Sequence, residues 1–329
     1  MSEPMKVLRG LHKRPAFPGG TVVAIGNFDG LHLGHQRILR FLVEKAREKG
    51  LVSLVLTFSP HPESVLGGGR IAMLQTLEQR LAGIRSAGVQ AVLLASFDRT
   101  FAGLTSAEFV DRVIVSSLRA KEVVVGENFR FGRSRQGDVD DLRRFGQRLG
   151  FAVSPIPSAV RNGKVVSSSL IRRLLDEGRV SPANTLLGHP YEIGGRVVRG
   201  SGRGKGLGFP TANIQSPNEI LPRGVYLTEA DILGRFHPSI TNIGYRPTFG
   251  GGGLQVETHI FDFQATLYRR RIGLRFLRKL RGEKKHPGPE RLISQVHKDI
   301  AVAHAYFEKR GTVFREAAQR HRRLTFSSS

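Results

Sequence analysis

A parallel α/β domain followed by a small antiparallel β-barrel, closed by one helix, is the fold predicted for these 329 residues. Two observations predict it. Up to Leu187, apolar runs of strand length alternate with amphipathic helical patterns, as in a parallel sheet covered by helices. Beyond Gly188 come short apolar segments separated by Gly and Pro, the spacing of an antiparallel barrel. The expected domains are 1–187 and 188–329, with no internal repeat.

Val22, Val23, Ala24 and Ile25 make the first buried strand. Gly26, Asp29 and Gly30 turn the chain, and Ile38, Leu39, Leu42 and Val43 then share one helical face. Further strands are expected at Leu51–Phe58, Ala91–Phe97, Glu122–Val125 and Phe151–Ile156, with helices at Thr76–Ala87, Ser106–Ser117 and Asp138–Leu149. A last helix, Ser169–Asp176, ends at Gly178. In the second half, strands at Arg196–Val198, Val225–Ala230, Ser239–Ile243, Gln255–Phe263 and Ile272–Phe276 precede a helix from Pro289 to about Phe307. The basic tail from Glu308 ends in serines and is expected to fray.

Composition narrows the function classes. A hydrophobic fraction of 40% supports real cores, and no stretch approaches the ~18 apolar residues of a membrane span. The first twenty residues carry His12, Lys13, Arg14 and Pro15 where a secretory signal would be apolar. The lack of cysteine excludes disulfides and thiolate metal sites, and fits a cytoplasmic protein. The net charge of +24 permits nucleic acid, an anionic membrane or polyphosphate ligands. It is spread along the chain, +11 up to Leu187 and +13 beyond. The densest run, Arg269–Lys285, sets nine basic residues against Glu283 alone and reads first as a solvated face, because few aromatics interleave it. Small-molecule substrates are expected and a membrane is not. Nucleic acid is permitted but not expected, and a homo-oligomer stays open.

The most informative stretch is Ala24–Gln36, A-I-G-N-F-D-G-L-H-L-G-H-Q. It joins a strand to a helix N-terminus, where unpaired backbone N–H groups favour an anion. His32 and His35, three apart, can face one phosphate, and Gly34 lets a phosphate or base approach the backbone. The pattern His-x-Gly-His after a strand resembles the class I nucleotidyltransferases, which bind ATP and transfer its adenylyl group. Either histidine alone is as readily a surface or core residue; the pairing and context favour a nucleotide site.

Three more segments follow strands or open helices. Phe58-Ser-Pro-His-Pro62 offers His61, and G-E-N-F-R-F-G at 126–132 offers the Asn128 amide and the Arg130 charge. Ser167-Ser-Ser-Leu-Ile-Arg172 offers the Ser168 and Ser169 hydroxyls, with Arg172 to neutralise a leaving pyrophosphate. The plainer alternatives are cap serines, a turn histidine and a loop-holding asparagine. In the second half, residues 200–213 read G-S-G-R-G-K-G-L-G-F-P-T-A-N. Its glycines, Gly206 and Gly208 among them, suit a backbone wrapped around phosphate, and Thr211 and Asn213 offer oxygens to Mg²⁺. A flexible linker is the alternative, against which Phe209-Pro210 and Ile214 point to an ordered strand entry. Glu257, in V-E-T-H, either takes a proton from an attacking hydroxyl or is an exposed strand residue.

From about Val22 to Phe307 these motifs resemble, in order, the bacterial bifunctional riboflavin kinase/FMN adenylyltransferase (FAD synthetase) family. G-N-F-D-G-L-H-L-G-H, F-S-P-H-P, G-E-N-F-R-F-G and S-S-S-L-I-R resemble its adenylyltransferase module; G-F-P-T-A-N, N-I-G-Y-R-P-T-F and V-E-T-H resemble its kinase module. The resemblance implies a Rossmann-like nucleotidyltransferase domain and two reactions. Riboflavin takes the γ-phosphoryl of ATP at the barrel, giving FMN and ADP. FMN then attacks the α-phosphorus of a second ATP, giving FAD and pyrophosphate. By that resemblance His32, His35 and Arg172 serve catalysis of adenylyl transfer, while Gly26, Phe28, Gly34, His61, Asn128, Ser168 and Ser169 bind ATP. In the barrel, Gly206 and Gly208 bind phosphate, Thr211 and Asn213 hold Mg²⁺, and Glu257 is the base at the ribityl 5′-hydroxyl.

Some residues depart from the family pattern. Ser169 stands where Thr is usual, Leu267-Tyr-Arg269 where Leu-Tyr-Gly is usual, and His286 where Phe is common. Rival readings are an adenylyltransferase for a pantetheine or nicotinamide phosphate, which leaves Thr211 and Glu257 without a role, a nucleic-acid-binding protein on an enzyme fold, and a chain with one live site.

Overall fold

The computed structural model describes residues 4–11, 17, 19–67, 69–200, 208–245, 253–284 and 287–325, apart from the side chains of residue 289 and of those beyond 311. The chain forms two compact units: Met1–Arg172 with Thr185–Gly188, and Arg173–Asn184 with His189–Ser329.

The first unit is built on six strands: β1 Lys6–Arg9, β2 Thr21–Ile25, β3 Val52–Ser59, β4 Ala91–Ser96, β5 Ala120–Gly126 and β6 Ala152–Ile156. Their order is β1-β4-β3-β2-β5-β6 and every neighbouring pair is parallel. β2 is buried along its whole length, as a central strand covered on both faces must be. Helices α1 Leu33–Glu48, α2 Pro62–Val65, α3 Leu77–Ser86, α4 Arg99–Ala102, α5 Ser106–Phe109 and α6 Val139–Leu149 lie between the strands. Thr76, Thr105 and Asp138 close capping boxes with Gln79, Glu108 and Asp141, which fixes where α3, α5 and α6 begin. The helix expected over Ser106–Ser117 turns π-helical at Val110–Ser117, with Val110, Val113 and Ile114 still in the core.

Strand order reverses at β2, with β3 and β4 on one side and β5 and β6 on the other. The crevice outside the carboxyl ends of β2 and β5 is where such sheets take ligands. The sequence reading lacks β1, whose four residues are exposed or half-buried and hold only two apolar side chains, Val7 and Leu8. It also lacks the hairpin β7 Val160–Arg161 and β8 Lys164–Val165, although its turn residues Asn162 and Gly163, both at positive φ, are a standard hairpin pair. Two further helices follow, α7 Ser168–Asp176 and α8 Val180–Leu187. The second was not expected, because Pro182 in its first turn reads as a breaker in sequence and is tolerated there in structure.

In the second unit, β9 Tyr191–Val198, β10 Ala212–Gln215, β11 Gly224–Ile232, β12 Arg235–Tyr245, β13 Leu254–Ile260 and β14 Arg271–Arg281 close into a barrel in the order β10-β13-β12-β11-β14-β9. All neighbours are antiparallel. Fully buried Tyr226 and Phe276 meet edge to face at 5.3 Å. Beside the apolar residues lie four buried hydroxyls. Thr228 bonds Ser239 at 2.8 Å and Thr241 at 2.7 Å, Thr241 donates to Thr258 at 3.0 Å, and Thr258 donates to the Ile240 carbonyl at 3.3 Å. Each hydroxyl has one proton, so the relay runs one way, from Ser239 through Thr228, Thr241 and Thr258 to that carbonyl.

Helix α9 Pro289–Thr325 covers one side of the barrel, where Ala303 packs in one cluster with Val225, Leu227, Ile240 and Phe261. Asp299 receives Arg281 Nε at 3.0 Å and Nη2 at 2.8 Å. The fraying expected from Glu308 is corrected: α9 continues to Thr325. Arg, Ala, Glu and Gln dominate that stretch and are good helix formers, and Arg310 pairs with Glu229 at 3.4 Å as it begins.

Candidate active sites

In the first unit, His32, His61 and Asn128 follow β2, β3 and β5, three adjacent strands at their carboxyl ends. His32 is the N-cap of α1, its Nδ1 accepting the His35 backbone N–H at 3.4 Å. A neutral His32 ring therefore carries its proton on Nε2. The two imidazoles stack with centroids 3.7 Å apart, and the His35 ring lies 5.2 Å from Phe28. Burial pushes His32 down to about 4. Burial first, then His32, holds His35 well below the usual imidazole range. His35 Nδ1 is buried without a hydrogen-bond partner among the described residues.

The loop glycines have structural reasons. A Cβ on Gly34 would sit 3.2 Å from the His32 ring, so this glycine clears the stacked pair. One on Gly26 would sit 3.2 Å from the Phe28 ring. Phe28, expected among the ATP contacts, is fully buried at φ +50 with its ring folded back over Gly26. Leu31 and Gly30 are also left-handed.

Asp29, read from sequence as a turn former, organises the site. Only 1% exposed, its carboxylate accepts the backbone N–H of Leu74 at 3.0 Å and of Gln75 at 3.3 Å, and Arg172 Nη2 at 2.8 Å. Its carbonyl accepts Ser168 Oγ at 2.9 Å. Arg172 and Ser168 are thus brought to the β2 loop, Arg172 as half of an ion pair. The helix cap is Ser167, whose Oγ accepts the Leu170 N–H, whereas Ser169 is exposed. His61 caps α2, and its Nε2 lies 2.9 Å from the Asn27 amide; burial, opposed by Glu63, lowers it. Buried Arg80 donates to the carbonyls of Asn27 and Phe58. Its signal in sequence is an arginine one turn before Ile84 on the inward stripe of α3.

Asn128 stands at a separate part of the edge. Its amide donates to Ser158 Oγ at 3.3 Å, and it lines an open cavity of about 530 Å³ with Phe129, Arg130, Pro155 and Pro157. Arg130 is paired with Asp138 at 3.3 Å.

In the barrel, Glu257 faces Asn213 across the β10–β13 pair and Asn242 across the β12–β13 pair. These three form one outward row, because flanking Val256 and Thr258 are buried. Asn242, missed as a site residue, opens N-I-G-Y-R-P-T-F, of which 246–249 lie outside the described residues. Gly200 stands where a Cβ would collide with the Asn213 amide. Next to Thr211, Pro210 offers its carbonyl to His259 Nδ1–H at 2.8 Å, and the Phe209 ring packs on His297 at 4.9 Å. Gly208 is left-handed and open; Gly206 and His286 lie outside the described residues. Arg269 takes φ +65, the conformation glycine adopts most easily, and its guanidinium lies over the Tyr268 ring at 5.7 Å, as that of Arg199 does at 5.4 Å. Among the described residues no helix is long and apolar enough to cross a membrane.

Comparison with known proteins matches two family models in succession along the chain. The FAD synthetase family model matches residues 14–170 and the riboflavin kinase model residues 187–307. The bifunctional riboflavin kinase/FMN adenylyltransferase of Escherichia coli K12 is 37% identical over 307 residues, spanning 92% of this chain and 98% of its own. That of Pseudomonas fluorescens is 39% identical over 303 residues, spanning 92% and 97%. A crystal structure described as a macrolide-efflux protein from Streptococcus pneumoniae superposes with TM-score 0.84 at 28% identity, covering 91% of this chain and 99% of that one. With both family models matched in order and relatives of this identity aligned nearly end to end, the chain belongs to the bifunctional riboflavin kinase/FMN adenylyltransferase family.

Proposed function

We propose that residues 188–329 phosphorylate riboflavin and residues 1–187 adenylylate the FMN so formed. In the first step the ribityl 5′-hydroxyl attacks the γ-phosphorus of ATP, its proton passes to Glu257, and ADP leaves. Asn213 and Asn242, opposite Glu257 on both sides, hold that carboxylate's neighbourhood polar. Thr211 and Asn213 offer a hydroxyl and an amide oxygen, hard ligands suited to Mg²⁺, and Gly200 leaves room for the amide. With one hydroxyl and one amide oxygen from the protein, the ion would take its further oxygen ligands from ATP phosphates. Bound there, Mg²⁺ offsets phosphate charge.

In the second step a phosphate oxygen of FMN attacks the α-phosphorus of ATP, and pyrophosphate leaves. His32 and His35 stay neutral at pH 7 and act as N–H donors to phosphate oxygens. Ser168 and the start of α7 add donors, and Arg172 adds positive charge tempered by Asp29. Gly26, Phe28 and Gly34 shape this loop; His61, Asn128 and Ser169 complete the ATP-facing set, and Gly206 and Gly208 that of the kinase. The cysteine-free sequence supports a cytoplasmic location.

The observation that carries this reading is that two residue sets lie on one chain, each inside the match to its own family model except Arg172, which follows the first match by two residues. Incubation of the purified chain with riboflavin, ATP and Mg²⁺, with flavins separated by chromatography, tests it. FMN followed by FAD is expected. FMN alone would refute the adenylyl half, FAD made only from supplied FMN the kinase half, and no conversion of either flavin both.

A further inference from the structure

Adenylyl transfer as read above gives Arg80 no part, yet its placement needs a reason. It lies on the inward stripe of α3 with Ile84, and only 4% of it is exposed. Its hydrogen bonds go to two neutral acceptors, the Asn27 carbonyl from Nη1 at 2.9 Å and the Phe58 carbonyl from Nη2 at 3.2 Å. Nε is buried without a partner among the described residues. A well-packed aliphatic side chain of similar volume is usually at least as stable as a buried charge held this way, so core packing alone does not explain the residue.

Its two acceptors stand where β2 and β3 give way to the loops that carry the histidines, Asn27 two residues past β2 and Phe58 the last residue but one of β3. The Asn27 carbonyl also accepts Thr57 Oγ1 at 3.1 Å, and the Asn27 amide lies 2.9 Å from His61 Nε2. Phe58 precedes His61 by three residues, and Asn27 precedes His32 by five. A planar guanidinium fixes two acceptors at one spacing, whereas an ammonium is a point charge on a flexible stem.

We propose that Arg80 is a positioning residue for adenylyl transfer, its fork locking the β2 and β3 loops so that His61 and the His32–His35 pair keep one mutual geometry. The proposal rests on the reading of this unit as the adenylyltransferase. Burial lowers the proton affinity of Arg80, but it stays charged at any working pH, so its action is constant.

Arg80→Lys keeps the charge and loses the fork; Arg80→Met loses both. Each full-length variant is assayed for FMN to FAD and separately for riboflavin to FMN, with thermal unfolding alongside. The expected result is a fall of about 100-fold in kcat for FAD formation in both variants, with KM for ATP and FMN changed less than about threefold. Riboflavin phosphorylation keeps its rate. Unchanged kcat in Arg80→Lys would overturn the proposal by making charge sufficient. A loss confined to KM would make Arg80 a ground-state binding group, and equal loss of both reactions a folding residue; either also overturns it. Wild-type chain that makes FMN but no FAD overturns the underlying reading, and this is seen without any variant.

Discussion

Replacing Asp29 by Asn keeps the shape of the side chain and removes the charge on which three segments converge. The wild-type carboxylate accepts one N–H at 3.0 and 3.1 Å on its two oxygens, a second at 3.3 Å, and Arg172 at 2.8 Å. An amide has one acceptor oxygen, so its NH₂ must face either the Gln75 N–H or the Arg172 guanidinium, donor against donor. Breaking a buried pair by removing one partner costs about 3–5 kcal/mol, because the surviving charge is left uncompensated. The Arg172 side chain is 14% exposed and can turn partly to water, which favours the lower end, about 3 kcal/mol. For a unit of this size that is a fall of roughly 6–12 °C in Tm. Calorimetry of wild type, Asp29→Asn, Arg172→Met and the double variant measures the coupling, which should be at least about 1 kcal/mol. FAD formation should fall with the single variants while riboflavin phosphorylation persists. A Tm within about 2 °C of wild type, with no coupling in the cycle, would refute the view that Asp29 holds this site together.

Three further outcomes are expected. Glu257→Gln lowers riboflavin phosphorylation by about 10²–10⁴ without changing FMN adenylylation, as rates on the two flavins would show. Burial depresses His32 from 6.5 to about 4, so between those values protons bind the unfolded chain preferentially; its stabilising contribution is complete above pH 6.5 and is lost as pH falls towards 4. That loss is about 3 kcal/mol, and urea unfolding of wild type against His32→Asn from pH 7 to 4 should show it. Arg269→Gly relieves a left-handed conformation and raises stability by about 1 kcal/mol; an unchanged urea midpoint would show that the cation over Tyr268 offsets the strain.

The sequence pattern exposed what burial repeats and hid what pairing over distance creates. β2, β3 and β4 leave continuous apolar runs, and α6 a strongly one-sided pattern closed by Asp138 and Gly150. β1 is added at an edge with Leu8 alone packed on the core, too short an apolar run to read. The histidine loop was legible because His32, Gly34 and His35 are neighbours whose geometry follows from one helix start. Asp29 stands in that motif, but its partners Leu74 and Arg172 are 45 and 143 residues away, and no local periodicity reports them. Arg172 reads in sequence as a charge for leaving pyrophosphate, and only the fold shows that Asp29 pairs with it. Arg80 was visible as a charge on an apolar stripe, which in most helices means a side chain reaching out to water.

The one-way hydroxyl relay inside the barrel works as a register key. Thr228 and Ser239 are direct partners across β11 and β12, as are Thr241 and Thr258 across β12 and β13. A one-residue slip of β12 would turn Ser239 and Thr241 outward and leave Thr228 and Thr258 facing apolar side chains. A two-residue slip would keep all four inside but unmatched, at about 1–3 kcal/mol for each stranded group. Aliphatic residues at these places would fill the interior as well in several alignments of the strands. The hydroxyls accept only the alignment that sets Glu257 level with Asn242, so the interior of the barrel fixes a pairing on its outer face.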